Sequence, residues 1–194
     1  MERLILVRHA ESDFNAQALV NGDVAVASPL TDRGRDEARR LRDLLRADDI
    51  DLCVTSEFER ARETADLALE GRAVPRLVLA ELNDPRYGDF EGRVLNDYKA
   101  WAGSHGSGDE PPGGGESRLT IVRRYVHAFR TLLERPERTI LAVSHSLPVA
   151  YVLAATPPAP RVRVVAHARP YRIGADELRT AVERMDAWCA APSW

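Results

Sequence analysis

Leu4-Ile5-Leu6-Val7-Arg8-His9 is the stretch of sequence that decides the fold. Four consecutive apolar residues predict a short strand buried on both faces, as in a parallel sheet covered by helices. Two reactive side chains, Arg8 and His9, follow this run at once. A buried strand that ends in polar groups is typical of an α/β sheet, in which ligands bind beyond the carboxyl ends of the strands.

The rest of the chain repeats this alternation of short apolar runs with helical patterns. Further strands are predicted over 51–55, 76–80 and 139–143, with one or two edge strands within 161–173. Helices are predicted over 31–47, 58–69, 95–101, 117–134, 147–154 and 175–190, and Thr31 is typical of a helix N-cap. The pattern predicts a single α/β domain over 1–194, a three-layer sandwich with a mainly parallel central sheet and helices on both faces.

A long irregular segment, about 83–116, interrupts the alternation. Its part 103–115 is rich in glycine and proline, which is typical of loop structure. The loop 103–115 is too short to link two domains, and a loop of this length inside a compact domain is more often a lid or a binding loop than slack chain. We therefore expect an inserted lid made of loop and a short helix.

The composition of the chain bears on whether it binds nucleic acids or membranes. The 194 residues carry a formal net charge of −3, and Lys99 is the only lysine among the 27 basic residues. This balance indicates neither a nucleic-acid surface nor a membrane surface, and no apolar run has the roughly 20 residues of a membrane span. The start of the sequence is too short in its apolar part for a signal peptide, and Cys53 and Cys189 are too few for a disulfide framework. We expect a cytoplasmic protein, as a monomer or a homodimer.

Each of the four main predicted strands ends close to a reactive side chain. These are Arg8 and His9 after the first strand, Arg60 one helical turn beyond the second, Glu81 after the third and His145 after the fourth. Because such ends meet at one edge of a parallel sheet, we expect these five side chains to lie in a single crevice. Guanidinium groups bind phosphate oxygens in a bidentate manner, and histidine serves as a base, a nucleophile or a proton donor. The set therefore indicates a phosphate site.

A metal centre is the competing interpretation of the same residues. His9 and His145 with Glu81 match the residue types of a two-histidine, one-carboxylate site. Two arginines in the same crevice would repel a cation, so we expect no metal and no cofactor. The other histidines are predicted to be solvated or structural; they are His105, His127 and His167.

Several short blocks, taken together and in order, carry a family resemblance. They are Arg8-His9-Ala10-Glu11-Ser12 with Asn15, Pro29-Leu30-Thr31 with Gly34 and Ala38, Ser56-Glu57-Phe58-Glu59-Arg60-Ala61 with Thr64-Ala65, Gly88-Asp89-Phe90-Glu91-Gly92, Gly114-Gly115-Glu116-Ser117, and Val143-Ser144-His145. This ordered set, over roughly 3–155, resembles the histidine phosphatase (phosphoglycerate mutase-like) superfamily. Ala10 stands where the family has glycine.

The resemblance implies a role for each matched residue. His9 would be the nucleophile that carries a phosphohistidine. Arg8, Arg60 and His145 would hold the transferring phosphoryl group, with Asn15 as a further phosphate-binding donor. Glu81 would protonate the leaving oxygen. Residues 82–87 form a longer connection than the family pattern leads one to expect, so Asp84 is an alternative acid and Glu91 a weaker one.

The leading hypothesis is a metal-independent phosphomonoester hydrolase that acts through phosphohistidine on a small phosphorylated metabolite. The alternatives are a phosphoglycerate mutase, a phosphoprotein phosphatase and a non-catalytic binder of phosphorylated ligands. Mutases of the family place an arginine directly after the catalytic glutamate, whereas Leu82 follows Glu81 here. This difference favours hydrolysis.

Overall fold

The computed structural model describes residues 1–156 and 164–192. The strands are β1 (Arg3–Arg8), β2 (Leu52–Thr55), β3 (Arg76–Val78), β4 (Thr139–Ser144) and β5 (Pro170–Gly174). The helices are α1 (Asp13–Ala16), α2 (Asp32–Leu44), α3 (Glu59–Ala68), α4 (Leu95–Ser104), α5 (Arg118–Leu133), α6 (Ser146–Ala155) and α7 (Ala175–Ala190). The predicted α/β class is confirmed. None of the described helices combines the length and the apolar character needed to cross a bilayer.

The strands form one sheet in the order β3-β2-β4-β1-β5. All neighbouring pairs are parallel except β1 and β5, which are antiparallel. Strands β1 and β4 lie side by side in register, with Arg8 opposite Ser144. The two strands that precede His9 and His145 are therefore neighbours, and their carboxyl ends lie at the same edge.

The side chains of the central strands alternate between two apolar layers. Leu4 and Leu6 face a core formed with α5, α6 and α7, whereas Ile5 and Val7 face a second core formed with α2 and α3. All four side chains are fully buried. This burial on both faces explains why the run reads as continuously apolar.

Strand β3 is shorter than predicted, since it ends at Val78 and residues Ala80–Leu82 form a 3₁₀ turn. The amide of Leu82 donates to the carbonyl of Leu79 at 3.0 Å, and the Leu82 side chain is fully buried in the α5-side core. Packing of Leu82 sets the direction of the turn. Glu81, its neighbour, consequently does not extend straight from the strand end as the sequence analysis assumed.

The edge strand predicted within 161–173 is found at its end, as β5, while 161–163 lie outside the described residues. The predicted N-cap is confirmed, because the Thr31 hydroxyl accepts a hydrogen bond from the amide of Gly34 at 2.9 Å. Ser117 caps α5 in the same way. Helix α1 was not predicted, and its four residues are too few to show a hydrophobic period.

The segment 83–116 has a small apolar cluster of its own. Val20, Tyr87 and Tyr98 are buried in it, and Phe90 and Trp101 pack against them. The rings of Tyr87 and Tyr98 meet edge to face, with centroids 4.7 Å apart. This cluster holds the segment together beside the carboxyl edge of the sheet.

Gly34 lies where α2 approaches the loop that follows β1. A Cβ at this position would lie 2.0 Å from the carbonyl oxygen of Glu11, whereas a Cβ at Gly103 in α4 would contact nothing within 4 Å. We expect Gly34→Ala to lower the free energy of unfolding by about 1–3 kcal/mol through overpacking. Gly103→Ala, the matched control, is expected to raise it by about 0.4–1 kcal/mol. Urea denaturation followed by circular dichroism measures both; similar effects at the two positions would contradict this packing.

Candidate active site

Four of the five residues predicted to meet at the strand ends form one cluster, in which three side chains are buried and Arg8 is half-buried. Arg8 ends β1 and His9 follows it, while His145 follows β4. Arg60 lies in the first turn of α3, which begins after β2. Exposure is 2% for His9, 3% for Arg60 and 0% for His145. The sheet therefore brings together two imidazoles and two guanidinium groups.

One hydrogen bond fixes the tautomer of His9. Its Nδ1 lies 2.7 Å from the carbonyl oxygen of Ala10, and a carbonyl can only accept, so Nδ1 carries the hydrogen. The lone pair is then on Nε2. Arg60 Nε donates to this atom at 3.2 Å. Nε2 is therefore the ring atom that can act as a nucleophile, and it faces the guanidinium group of Arg60.

Arg60 organises the centre of the cluster. Its guanidinium group donates to the side-chain and backbone oxygens of Asn21, at 2.6 and 2.9 Å. Nη2 also lies 3.3 Å from Asp84 Oδ2 and 3.4 Å from His145 Nδ1. Asn21 was not among the predicted site residues, because it lies in an irregular loop where no periodic pattern marks it.

A pocket of about 70 Å³ opens beside His9. Its walls include Arg8, Asn15, Arg60 and Asp84. Among the described residues, Arg8 Nε and Asp84 Oδ1 are buried without a hydrogen-bond partner. Buried polar atoms normally have partners, so these two atoms can serve a ligand in the pocket.

Asn15 and His145 are held by their neighbours. The Asn15 amide oxygen accepts from the amide and hydroxyl groups of Ser12, so its amide nitrogen is the group that can donate to a ligand. His145 Nε2 lies 2.9 Å from the Ser56 hydroxyl. Ser146 begins α6 directly after His145 and also lines the pocket. The positive end of the α6 dipole is therefore directed toward the pocket.

Two carboxylates near the end of β3 have different positions. Asp84 is only 16% exposed, and its Oδ2 lies within 3.5 Å of both Arg60 and His145. Glu81 is 35% exposed, and its carboxylate lies 4.0 Å from Nε2 of His127 on α5. The structure therefore brings Asp84, rather than Glu81, into the cluster. The longer connection at 82–87 was the signal in the sequence.

The backbone just before Asp84 is held by Arg124 of α5. Arg124 Nη1 donates to the carbonyl oxygens of Glu81 and Asn83, at 3.0 and 2.8 Å. The same guanidinium group forms a bidentate pair with Glu116, with both distances 3.0 Å. Glu116 in turn accepts from the backbone amide of Arg86 at 2.9 Å. These bonds fix the turn that delivers the Asp84 carboxylate.

The cluster shifts the pKa values of its members in opposite directions. Burial, reinforced by the charges of Arg60 and Arg8, holds the pKa of His9 well below its ordinary value. Burial and Arg60 lower the pKa of His145 in the same way. Burial raises the pKa of Asp84, although Arg60 and Arg8 oppose this shift. The histidines are therefore neutral at pH 7, and the carboxyl group is more readily protonated than an exposed aspartate.

His167 lies closer to the site than the sequence indicated. Its ring centroid is 5.9 Å from that of His9, and burial, with a further contribution from Arg8, lowers its pKa to about 4. Its neighbours hold Arg8, because Val165 O accepts from Arg8 Nη1 and Ala168 N donates to Arg8 O, both at 2.9 Å. The sequence prediction of a structural histidine is consistent with this position.

No group of three or more histidine, cysteine, aspartate or glutamate side chains is placed to hold a metal ion within residues 1–156 and 164–192. Cys53 and Cys189 are free and buried, and burial raises the pKa of Cys53 to about 11. Neither thiol is a reactive group at neutral pH.

Comparison with known proteins finds relatives that are named as phosphatases or as phosphoglycerate mutases. The chain is 39% identical over 153 residues to the adenosylcobalamin/α-ribazole phosphatase of Salmonella typhimurium, which covers 74% of this chain and 73% of the relative. It is 34% identical over 210 residues to the 2,3-bisphosphoglycerate-dependent phosphoglycerate mutase of Azorhizobium caulinodans. That alignment covers 96% of this chain and 98% of the relative. The crystal structure of the α-ribazole phosphatase from Shigella flexneri superposes with a TM-score of 0.76 and 31% identity, over 88% of this chain and 89% of that chain.

The sequence profile of the histidine phosphatase superfamily (branch 1) matches residues 4–185, nearly the whole chain. The matched region includes Arg8, His9 and Arg60, which line the phosphate pocket, and His145, whose ring centroid lies 5.2 Å from that of His9. The resemblance found in the short sequence blocks is thus confirmed over the length of the domain. The chain belongs to the histidine phosphatase superfamily, branch 1.

Proposed function

We propose that the protein hydrolyses the phosphomonoester of a small metabolite through a phosphohistidine on His9. One observation carries the proposal: the unprotonated Nε2 of His9 faces Arg60, with the carboxyl group of Asp84 on the same guanidinium. A nucleophile, a cation and an acid thus surround one small pocket. The relatives named as phosphatases support hydrolysis as the overall reaction.

The first step transfers the phosphoryl group to the protein. His9 Nε2 attacks phosphorus while the bond from phosphorus to the ester oxygen breaks, and the phosphoryl charge spreads over three equatorial oxygens. Arg8, Arg60 and His145 hold these oxygens, and Asn15 donates a further hydrogen bond. Donors fixed in this way stabilise the transition state, because they need no reorganisation during the reaction.

Asp84 donates the proton to the leaving oxygen in this step. We assign this role to Asp84 in place of Glu81, because Asp84 lines the phosphate pocket and its pKa is raised by burial. In the second step the Asp84 carboxylate takes a proton from water, whose oxygen attacks phosphorus as the bond to Nε2 breaks. Inorganic phosphate leaves, and the carboxyl group is again protonated.

We expect activity to survive exhaustive chelation with EDTA. Arg8 and Arg60 supply, inside the pocket, the positive charge that a divalent ion supplies in metal-dependent phosphatases. The measurement is phosphate release from p-nitrophenyl phosphate before and after dialysis against EDTA. Inactivation that Mg²⁺, Mn²⁺ or Zn²⁺ reverses would contradict the proposal.

Hydrolysis is expected to exceed mutase activity by at least about 10-fold. A mutase must bind the carboxylate of a phosphoglycerate beside the catalytic acid, but Pro85 follows Asp84 and buried Leu82 follows Glu81. Neither residue offers a charge. The assay compares isomerisation of 3-phosphoglycerate, primed with 2,3-bisphosphoglycerate, with phosphate release from a panel of monoesters that includes α-ribazole 5′-phosphate. Isomerisation faster than the best hydrolysis would assign the protein to the mutases, one of which matches nearly the whole chain.

We further propose that residues 83–116 act as a lid within a single domain. Asp84, Tyr87 and Leu95 of this segment all line the phosphate pocket, so its position determines whether water reaches the phosphohistidine. The two free thiols fit a reducing compartment, and we propose the cytoplasm.

A further inference from the structure

A larger cavity, of about 580 Å³, shares Asp84 with the phosphate pocket. Because Asp84 protonates the leaving oxygen, the alcohol portion of the substrate must begin at this carboxyl group. The phosphate pocket, at about 70 Å³, has no room for a large alcohol. The larger cavity is therefore the place for the leaving group, and its volume is in the range of sites that bind whole metabolites.

The wall of this cavity contains more acidic than basic side chains. Four carboxylates and two guanidinium groups line it, namely Asp23, Asp84, Glu91, Glu116, Arg86 and Arg124. Arg124 is fully engaged, since it pairs in a bidentate manner with Glu116 and donates to two backbone carbonyls. This ion pair contributes no net charge to the cavity.

The carboxylates that remain outnumber the remaining cation. Glu91 accepts hydrogen bonds from the backbone amides of Gly22 and Tyr87, both at 2.8 Å. Asp23 is exposed, and its Oδ1 accepts from the amide of Ala25 at 2.9 Å. Arg86 is left as the cation of the wall. Asp84 carries the proton that it donates, so an anionic group on the leaving alcohol would meet the two carboxylates Asp23 and Glu91 and one guanidinium.

We propose that this cavity, which we call the alcohol cavity, binds an uncharged or cationic alcohol and rejects alcohols that carry a carboxylate or a second phosphate. The inference rests on the proposed hydrolase function and narrows its substrate class. The repulsive carboxylates act as the selective element, while Arg8 and Arg60 attract the phosphoryl group that all substrates share. Asp23 is the specificity-determining residue that can be changed with least disturbance, since it lies outside the phosphate pocket.

The test uses pairs of substrates whose leaving alcohols share a carbon skeleton and differ by one negatively charged group. Glycerol 3-phosphate and 3-phosphoglycerate share a three-carbon skeleton and differ by a hydroxymethyl group in place of a carboxylate. Adenosine 5′-phosphate and adenosine 3′,5′-bisphosphate form a larger pair. We expect kcat/KM for phosphate release to favour the less charged member of each pair by at least about 10-fold at low ionic strength, and less so at high salt.

Two variants locate the origin of this preference. Asp23→Asn, which keeps the oxygen that accepts from Ala25, is expected to reduce the preference about threefold. Arg86→Gln is expected to increase it, because the cation is removed. Asp36→Asn removes a carboxylate on the exposed face of α2, paired there with Arg39, and serves as the control of equal net charge. It is expected to leave the preference unchanged.

The outcomes separate this inference from the proposed function. Equal or higher kcat/KM for the anionic members, or a preference that Asp23→Asn does not reduce, overturns the charge selection. A reduction of equal size in Asp36→Asn assigns the effect to net charge and also overturns it. If the charge selection fails in one of these ways, hydrolysis of p-nitrophenyl phosphate that requires His9 would still uphold the hydrolase function. If the protein does not hydrolyse p-nitrophenyl phosphate in a reaction that requires His9, both the hydrolase function and the charge selection are overturned.

Discussion

Replacement of His9 by alanine is expected to abolish turnover, with a loss in kcat of roughly 10⁴-fold or more. The reason is geometric: in the proposed mechanism His9 Nε2 receives the phosphoryl group, and its orientation depends on the hydrogen bond from Nδ1 to Ala10. Rapid quenching with a ³²P-labelled substrate should give a protein-bound label that is labile to acid and stable to base. This label should be absent from His9→Ala.

The controls for this experiment come from the other histidines. His145→Ala should fold and take up label slowly, because it loses a donor to the phosphoryl group but keeps the nucleophile; a loss of roughly 10²–10³-fold is expected. His127→Ala removes an imidazole that is 70% exposed on α5 and should behave as the parent protein. Labelling that persists without His9 would refute the mechanism, whatever the rates.

Asp84→Asn should slow hydrolysis of alkyl phosphates by roughly 10²–10⁴-fold and that of p-nitrophenyl phosphate far less. An alkoxide needs a proton as it leaves, whereas p-nitrophenolate hardly does. Glu81→Gln is the matched control, because Glu81 lies three residues before Asp84 but faces His127. It should leave the ratio between the two substrates unchanged.

The pH dependence gives a second readout of the same assignment. Burial raises the pKa of Asp84, and the proton donor is lost as the pH rises through that pKa. The alkyl phosphate rate should therefore decline on the alkaline side in the parent protein, and Asp84→Asn should lack this decline. If Glu81→Gln shows both effects and Asp84→Asn shows neither, the proton donor is Glu81.

The parts of the site that follow directly from strands could be predicted from the sequence. Arg8, His9 and His145 belong to two apolar runs that pair in register, so strand pairing alone places them together. The position of Arg60 follows from one further prediction, that a helix begins just beyond β2. Each of these positions is determined by local pattern and sheet geometry.

The positions of the proposed acid, Asp84, and of Asn21, which accepts hydrogen bonds from Arg60, depend on tertiary contacts instead. The direction of Glu81 follows from burial of Leu82 in a 3₁₀ turn, and no periodic pattern marks so short an element. The position of Asp84 requires Arg124, which lies 40 residues further on in α5 and holds the carbonyls of Glu81 and Asn83. Asn21 reaches Arg60 from an irregular loop.

The division of the site between the sheet and the lid segment has a consequence for partial unfolding. His9 and His145 follow β1 and β4 inside the sheet, which belong to the last part of such a domain to open, whereas the Asp84 turn is held by the polar contacts of Arg124 and by a segment with a small apolar cluster. Mild heating should therefore detach the acid while the nucleophile stays in place. In that state we expect the protein to accept phosphoryl groups from activated esters such as p-nitrophenyl phosphate and no longer from the phosphate esters of ordinary alcohols, so hydrolysis of alkyl phosphates is lost before the fold.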